Sequence, residues 1–147
     1  MNWDFRAISS FIKSQSFLSL SISEDGYLIM LTSTGDLLKL DTNNGQMFWS
    51  LNIVSSSDFF ETDFFSSSNV VLSEEDVIFS TSSSIFSFNA ESSFFNWKNE
   101  LSSKNTPIID GNNVFIVTDN GYYLNMDKKT GKIIWSTNIL KVLKKKK

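Results

Sequence analysis

Along this chain the apolar residues fall in short alternating or β-branched runs, and none sustains the 3.6-residue period of a helix. The runs predict twelve strands in three sets of four. The first set is Leu18–Ile22, Tyr27–Thr32, Asp36–Leu40 and Met47–Asn52. The second is Val70–Leu72, Val77–Ser80, Ile85–Phe88 and Phe94–Asn99. The third is Thr106–Ile109, Val114–Thr118, Tyr122–Met126 and Ile133–Asn138. Between them stand polar punctuators such as Glu24-Asp25-Gly26, Ser33-Thr34-Gly35, Asn43-Asn44-Gly45, Asp110-Gly111-Asn112 and Asp119-Asn120-Gly121. Asn-Gly and Asp-Gly supply the positive φ that tight hairpins need. The single proline, Pro107, sits at the opening of a strand, where its missing N–H does least harm. The pattern predicts an all-β architecture.

One phrase recurs at the last hairpin of each set. It reads Asp41-Thr-Asn-Asn-Gly45-Gln-Met-Phe-Trp49 and Asp127-Lys-Lys-Thr-Gly131-Lys-Ile-Ile-Trp135, with a degraded copy, Asn89-Ala-Glu-Ser-Ser93-Phe-Phe-Asn-Trp97, between them. An Asp or Asn stands eight residues before each Trp, and a Gly or Ser four before it. The Asp side chain can bond the N–H groups of the turn it opens, and Gly closes that turn in the left-handed conformation. The Trp buries a large flat surface and needs one partner for its indole N–H. A repeat of about 40 residues marks units too small to bury their own apolar faces, which must stack on one another. Four-stranded antiparallel units of this length are the blades of a β-propeller.

These phrases resemble the Ala-x-Asp-x-x-Thr-Gly-x-x-x-Trp repeat of the pyrroloquinoline-quinone-type propellers. Asp127, Thr130, Gly131 and Trp135 match it well. Asp41, Gly45 and Trp49 match with Asn44 in place of Thr, and Trp97 is kept beside Asn89 and Ser93. The repeat's Ala is replaced by Lys39, Ser87 and Asn125. The resemblance implies that each Trp docks on the Gly turn of a neighbouring blade. The ten phrase residues are therefore read as structural. Because the phrases of Trp49 and Trp135 keep Gly and that of Trp97 does not, Trp49 and Trp135 are expected to matter more to stability.

The organisation that follows is an N-terminal segment (1–17), blade 1 (18–54), a Phe- and Ser-rich connection (55–68), blade 2 (69–100), blade 3 (101–140) and a Lys-rich tail (141–147). Three blades do not close a ring, since propellers take about four to eight. The expectation is a piece of a longer protein or assembly with copies of itself, with Trp3 as the end of a preceding blade. The connection is long because Trp49 and Trp97 lie 48 residues apart but Trp97 and Trp135 only 38. It carries Asp58-Phe-Phe-Glu61 and Asp63-Phe-Phe-Ser66, so Phe59, Phe60, Phe64 and Phe65 are a candidate exposed patch for a partner.

Composition narrows the chemistry. The chain has neither Cys nor His, which removes disulfides, thiolate or imidazole metal sites and the usual nucleophile–base pairs. Five of its 13 basic residues lie in positions 141–147, leaving eight against 16 acidic residues before them. An acidic body with a basic end does not fit nucleic-acid binding. The run Glu74-Glu75-Asp76 lacks the alternating spacing and Gly of a calcium loop and reads as a solvated turn. No apolar run reaches the ~20 residues that span a bilayer. No catalytic, cofactor or metal residue is assigned.

By resemblance, the eroded repeats look most like the outer-membrane assembly lipoprotein branch (BamB-type), which has no quinone and works through protein contacts. That resemblance implies a non-catalytic scaffold in the periplasm, holding barrel-assembly machinery at the outer membrane. The branch's lipidated N-terminal Cys is not in this sequence, so membrane association would be indirect or through a segment outside it. The alternatives are part of a quinone-dependent dehydrogenase, whose adjacent-Cys platform is missing here, and a ligand-sensing propeller.

Overall fold

The computed structural model describes residues 3–5, 19–54 and 65–144. Among the described residues, twelve strands form three separate four-stranded antiparallel sheets, each a meander in chain order. Blade 1 holds β1 (Ser19–Ile22), β2 (Tyr27–Leu31), β3 (Asp36–Asp41) and β4 (Met47–Asn52). Blade 2 holds β5 (Val71–Ser73), β6 (Asp76–Ser80), β7 (Ile85–Asn89) and β8 (Phe95–Asn99). Blade 3 holds β9 (Ile108–Asp110), β10 (Asn113–Val117), β11 (Tyr122–Asp127) and β12 (Ile133–Asn138). The architecture is that of propeller blades. One element departs from the all-β expectation: α1 (Ile139–Lys144) follows β12 directly, with Asn138 Oδ1 accepting the Lys141 N–H at 2.9 Å. That N-cap turns four residues of the expected tail into helix.

The two middle strands of each sheet explain why the apolar runs read as nearly continuous. In β3, Leu37 and Lys39 face one side while Leu38 and Leu40 face the other, and all four are buried. Two cores result. Ile29, Leu31 and Leu37 of blade 1 pack with Val77, Phe79, Phe86 and Phe88 of blade 2. Ile78, Ile85 and Trp97 of blade 2 pack with Val114, Ile116, Leu124 and Met126 of blade 3. Blade 2 is therefore a sheet buried on both faces by its neighbours, as stacked repeats require.

Each outer strand carries a β-bulge at the same place. Lys39 faces Trp49 but Leu40 faces Met47, and the same one-residue slip separates Ser87 from Phe88 and Asn125 from Met126. The extra residue (Phe48, Asn96 or Ile134) immediately precedes the Trp, so the bulge aims the indole off the sheet.

Phe65 corrects part of the expected patch. It is 7% exposed and belongs to the core between blades 1 and 2, where its ring approaches Gly35. A large apolar ring at the edge of an unfilled core gains more by burial than by waiting for a partner. Phe59, Phe60 and Phe64 lie outside the described residues.

Candidate functional site

The repeated phrase builds one device three times. The backbone N–H of Gly45, Ser93 and Gly131 bonds the carbonyl of Asp41, Asn89 and Asp127 at 2.8–3.0 Å. The opening side chain then secures the turn. Asp41 Oδ1 accepts the Asn43 N–H (2.7 Å), and Asn89 Oδ1 accepts those of Glu91 and Ser92 (3.0 and 2.8 Å). Asp127 Oδ1 accepts both the N–H and the hydroxyl of Thr130 at 2.8 and 2.7 Å. Those Thr130 bonds hold the Asp127 carboxyl below its usual range.

The peptide after the opening residue is used from both ends. The N–H groups of Thr42, Ala90 and Lys128 bond Gly26, Glu75 and Asn112 in the first hairpin of their own blade. Their carbonyls each receive an indole N–H from further up the chain. Trp3 Nε1 donates to Thr42 O (2.9 Å), Trp49 to Ala90 O (3.0 Å) and Trp97 to Lys128 O (2.7 Å). Trp3, Trp49 and Trp97 thus each dock on the next phrase.

Glycine decides how closely the ring approaches. A Cβ on Gly45 would lie 2.5 Å from Trp3, and one on Gly131 would lie 2.5 Å from Trp97, so neither turn could hold its Trp this way with any other residue. Ser93 occupies the equivalent place in the middle turn at φ 60°. The Trp it receives, Trp49, is only partly buried, whereas Trp97 is 6% exposed. This reverses the expected ranking. Trp97 is the best docked of the phrase residues because its acceptor is the intact phrase of blade 3. Trp135 is 40% exposed and rests on Tyr123 and Phe115 of its own sheet.

Two buried lysines, which the sequence reading did not single out, strap the same joints. Lys39 Nζ lies 2.6 Å from Glu91 in the blade 2 turn and 4.1 Å from the Tyr27 ring centre. Lys128 Nζ, in the blade 3 turn, lies 2.7 Å from Glu74 and 3.6 Å from Asp76 of blade 2. Burial opposes the charge on Lys128, but the Glu74 hydrogen bond and the two carboxylates outweigh it and raise its pKa; Lys128 in turn lowers that of Glu74. The Glu74-Glu75-Asp76 run is therefore part of an inter-blade ion pair rather than a merely solvated turn. Beside Lys39 a cavity of about 30 Å³, lined in part by Ser23, Asp25, Tyr27 and Glu91, has room for one water. Among the described residues no group of three or more His, Cys, Asp or Glu is placed to hold a metal ion. As placed, Trp49 and Trp97 and the turns that receive them join blades.

Comparison with known proteins agrees with this geometry. The family described as "Outer membrane protein assembly factor BamB" matches residues 3–137. No curated protein matches the chain. Among solved structures, BamB from Moraxella catarrhalis is similar at 23% identity and a TM-score of 0.64, over 86% of this chain and 39% of that one. Quinohemoprotein alcohol dehydrogenase from Comamonas testosteroni is similar at 16% identity and TM-score 0.63, over 81% and 20% of the two chains. The Pan2 WD40 domain of Neurospora crassa is similar at 16% identity and TM-score 0.61, over 82% and 37%. At these identities the likeness shows the propeller fold alone, and the chain spans about two fifths of the BamB it matches.

Proposed function

The chain belongs to the family of the outer membrane protein assembly factor BamB, and from that premise we propose that it is a non-catalytic propeller scaffold for protein–protein contacts. The observation that carries this reading is where the repeat's polar groups go. Asp41, Asn89 and Asp127 are bonded into their own turns, the carbonyls after them hold Trp side chains, and Lys39 and Lys128 are consumed in ion pairs between blades. Groups committed in this way supply rigidity to a platform rather than acid–base chemistry. By family membership, the partners are components of the outer-membrane barrel-assembly machinery, and the parent protein works in the periplasm at the outer membrane.

The fold likeness to a quinohemoprotein dehydrogenase is the basis of the alternative reading. The adjacent-Cys platform that the resemblance links to quinone binding has no counterpart in these 147 residues. Isothermal titration of the purified chain with periplasmic domains of the barrel-assembly machinery tests the scaffold reading. Saturable micromolar binding supports it, and heat changes indistinguishable from dilution contradict it.

A further inference from the structure

The second hairpin of each blade, between its two middle strands, turns on a threonine. The Thr32 and Thr118 hydroxyls accept the N–H groups of Asp36 and Tyr122 at 3.0 and 3.1 Å, and the Thr81 hydroxyl accepts that of Ser84 at 3.0 Å. Two residues after each Thr stands the tip, Thr34, Ser83 or Asn120. In blades 1 and 2 the tip side chain is tied back. The Thr34 hydroxyl donates to Asp36 at 2.6 Å, and the Ser83 hydroxyl lies 3.4 Å from that of Thr81. Asn120 is exposed, and among the described residues its carboxamide has no hydrogen bond. Ser83 is exposed too, although blade 2 has a neighbour on either side, so exposure of this tip belongs to the repeat and not to the ends of the chain.

Gly121 follows Asn120. In an Asn-Gly pair the main-chain nitrogen reaches the preceding carboxamide most freely, because Gly has no Cβ to shield it and moves through conformations closed to other residues. The chain has one other such pair, Asn44-Gly45, and there the carboxamide is held. Asn44 Oδ1 accepts the Gln46 N–H at 2.8 Å, and the Trp3 ring covers Gly45. In both pairs the Gly N–H bonds a turn carbonyl at 2.9 Å, that of Thr118 or of Asp41, so each pair reacts only when its turn opens locally. Asn44 must release its side chain as well; Asn120 need not.

We propose that Asn120 is a site of spontaneous deamidation, and that its conversion loosens the element seated on this turn. The Gly121 nitrogen, losing its proton to water, attacks Asn120 Cγ; the Cγ–Nδ2 bond breaks, ammonia leaves and a cyclic imide closes. Water then opens either carbon–nitrogen bond of the imide, giving Asp or isoaspartate, with no oxidant or reductant consumed. Both products set a second carboxylate beside Asp119, whose own carboxylate already accepts the Ser102 hydroxyl and the Lys104 N–H. Isoaspartate also lengthens the main chain within the turn. That turn seats the start of α1, since Gly121 O accepts the Ile139 N–H at 2.9 Å and a Cβ on Gly121 would lie 2.6 Å from Leu140. The same seat recurs in blade 1, where Gly35 O accepts the Ile53 N–H at 2.8 Å. This inference does not depend on the scaffold reading.

Ageing the full chain at physiological temperature and mildly alkaline pH, followed by peptide mapping with mass spectrometry, tests it. With each rate divided by that of the same site in urea, Asn120 converts ahead of Asn44 by roughly fivefold, the weight of one hydrogen bond on a carboxamide. Equal conversion, or Asn44 first, overturns the proposal. Hydrogen exchange at the Ile139 amide reads the consequence. It is faster in the converted fraction than in an Asn120→Gln chain aged alongside, whose longer carboxamide closes a ring far more slowly. An Ile139 amide that exchanges no faster after conversion overturns the link to α1.

Discussion

Trp97 gives its indole N–H to the main-chain oxygen of Lys128, 31 residues downstream and one blade further on, at 2.7 Å. The Lys128 N–H is meanwhile bonded to Asn112 of its own blade, and its Nζ returns to Glu74 and Asp76 of the blade Trp97 comes from. One residue is thus held by its own hairpin, by the preceding Trp and by the preceding acidic run. The joint between blades 2 and 3 depends on all three.

Ser93 is the weak point of the joint between blades 1 and 2. It holds φ 60° where the other two turns have Gly. Ser93→Gly removes about 1 kcal/mol of left-handed strain and clears the space into which Trp49 could settle. Urea denaturation should show a higher midpoint with an unchanged slope. A lower midpoint would mean that the Ser93 side chain contributes more than its strain costs.

The ion pair at Lys128 predicts an ordering of variants. Glu74→Gln with Asp76→Asn leaves a buried ammonium unpaired, whereas Lys128→Met removes the charge with its need for a partner. The double variant should therefore be the less stable of the two in thermal melts. The reverse order would mean that Lys128 is solvated in the folded state.

The pH dependence follows from the same groups. Glu74 and Asp127 have pKa values lowered from their ordinary 4.5 and 3.8. Groups lowered on folding contribute stability that is complete above the ordinary value and lost as pH falls through the folded one. Lys128, raised above its ordinary 10.5, contributes in full below that ordinary value and loses its contribution as pH climbs through the raised one. Stability should accordingly be flat from neutral to mildly acidic pH and fall below about pH 4.5. Asp127→Asn should shrink the acid loss.

Phe65, 7% exposed in the core, should behave as a core residue. Phe65→Ala is expected to cost about 3–5 kcal/mol by chemical denaturation. A cost near zero would return Phe65 to the candidate partner patch.

Pyrroloquinoline quinone titrated with Ca²⁺ should leave Trp fluorescence without saturable quenching. The basis is the commitment of the phrase residues to inter-blade bonds. Calcium-coupled quenching at micromolar quinone would favour the dehydrogenase alternative.

Much of this was legible in the sequence because the repeat is written in local chemistry. The strands at Met47–Asn52 and Ile133–Asn138 fall on their expected residues, and the phrase turns close as Asp and Gly spacing requires. What was hidden is non-local. Lys39 stands where the family repeat has Ala, and its partner Glu91 is 52 residues away, so nothing near it marks a buried ion pair. Trp3 has its acceptor 39 residues downstream, with no phrase of its own before it. The ranking of the Trp residues failed for the same reason, since it paired each with the Gly of its own phrase. The helix at Ile139–Lys144 is six residues long, too short for a periodic signal, and depends on the Asn138 cap.

Docking of Trp3, Trp49 and Trp97 on the next phrase is the central claim, and one comparison tests it most directly. Trp97→Ala and Trp135→Ala delete the same side chain from equivalent strands, one docked at 6% exposure and the other open at 40%. In guanidinium denaturation at a concentration where both are monomeric, Trp97→Ala should cost about 3–5 kcal/mol and Trp135→Ala under about 1 kcal/mol. Equal losses, or a larger loss for Trp135, would contradict it.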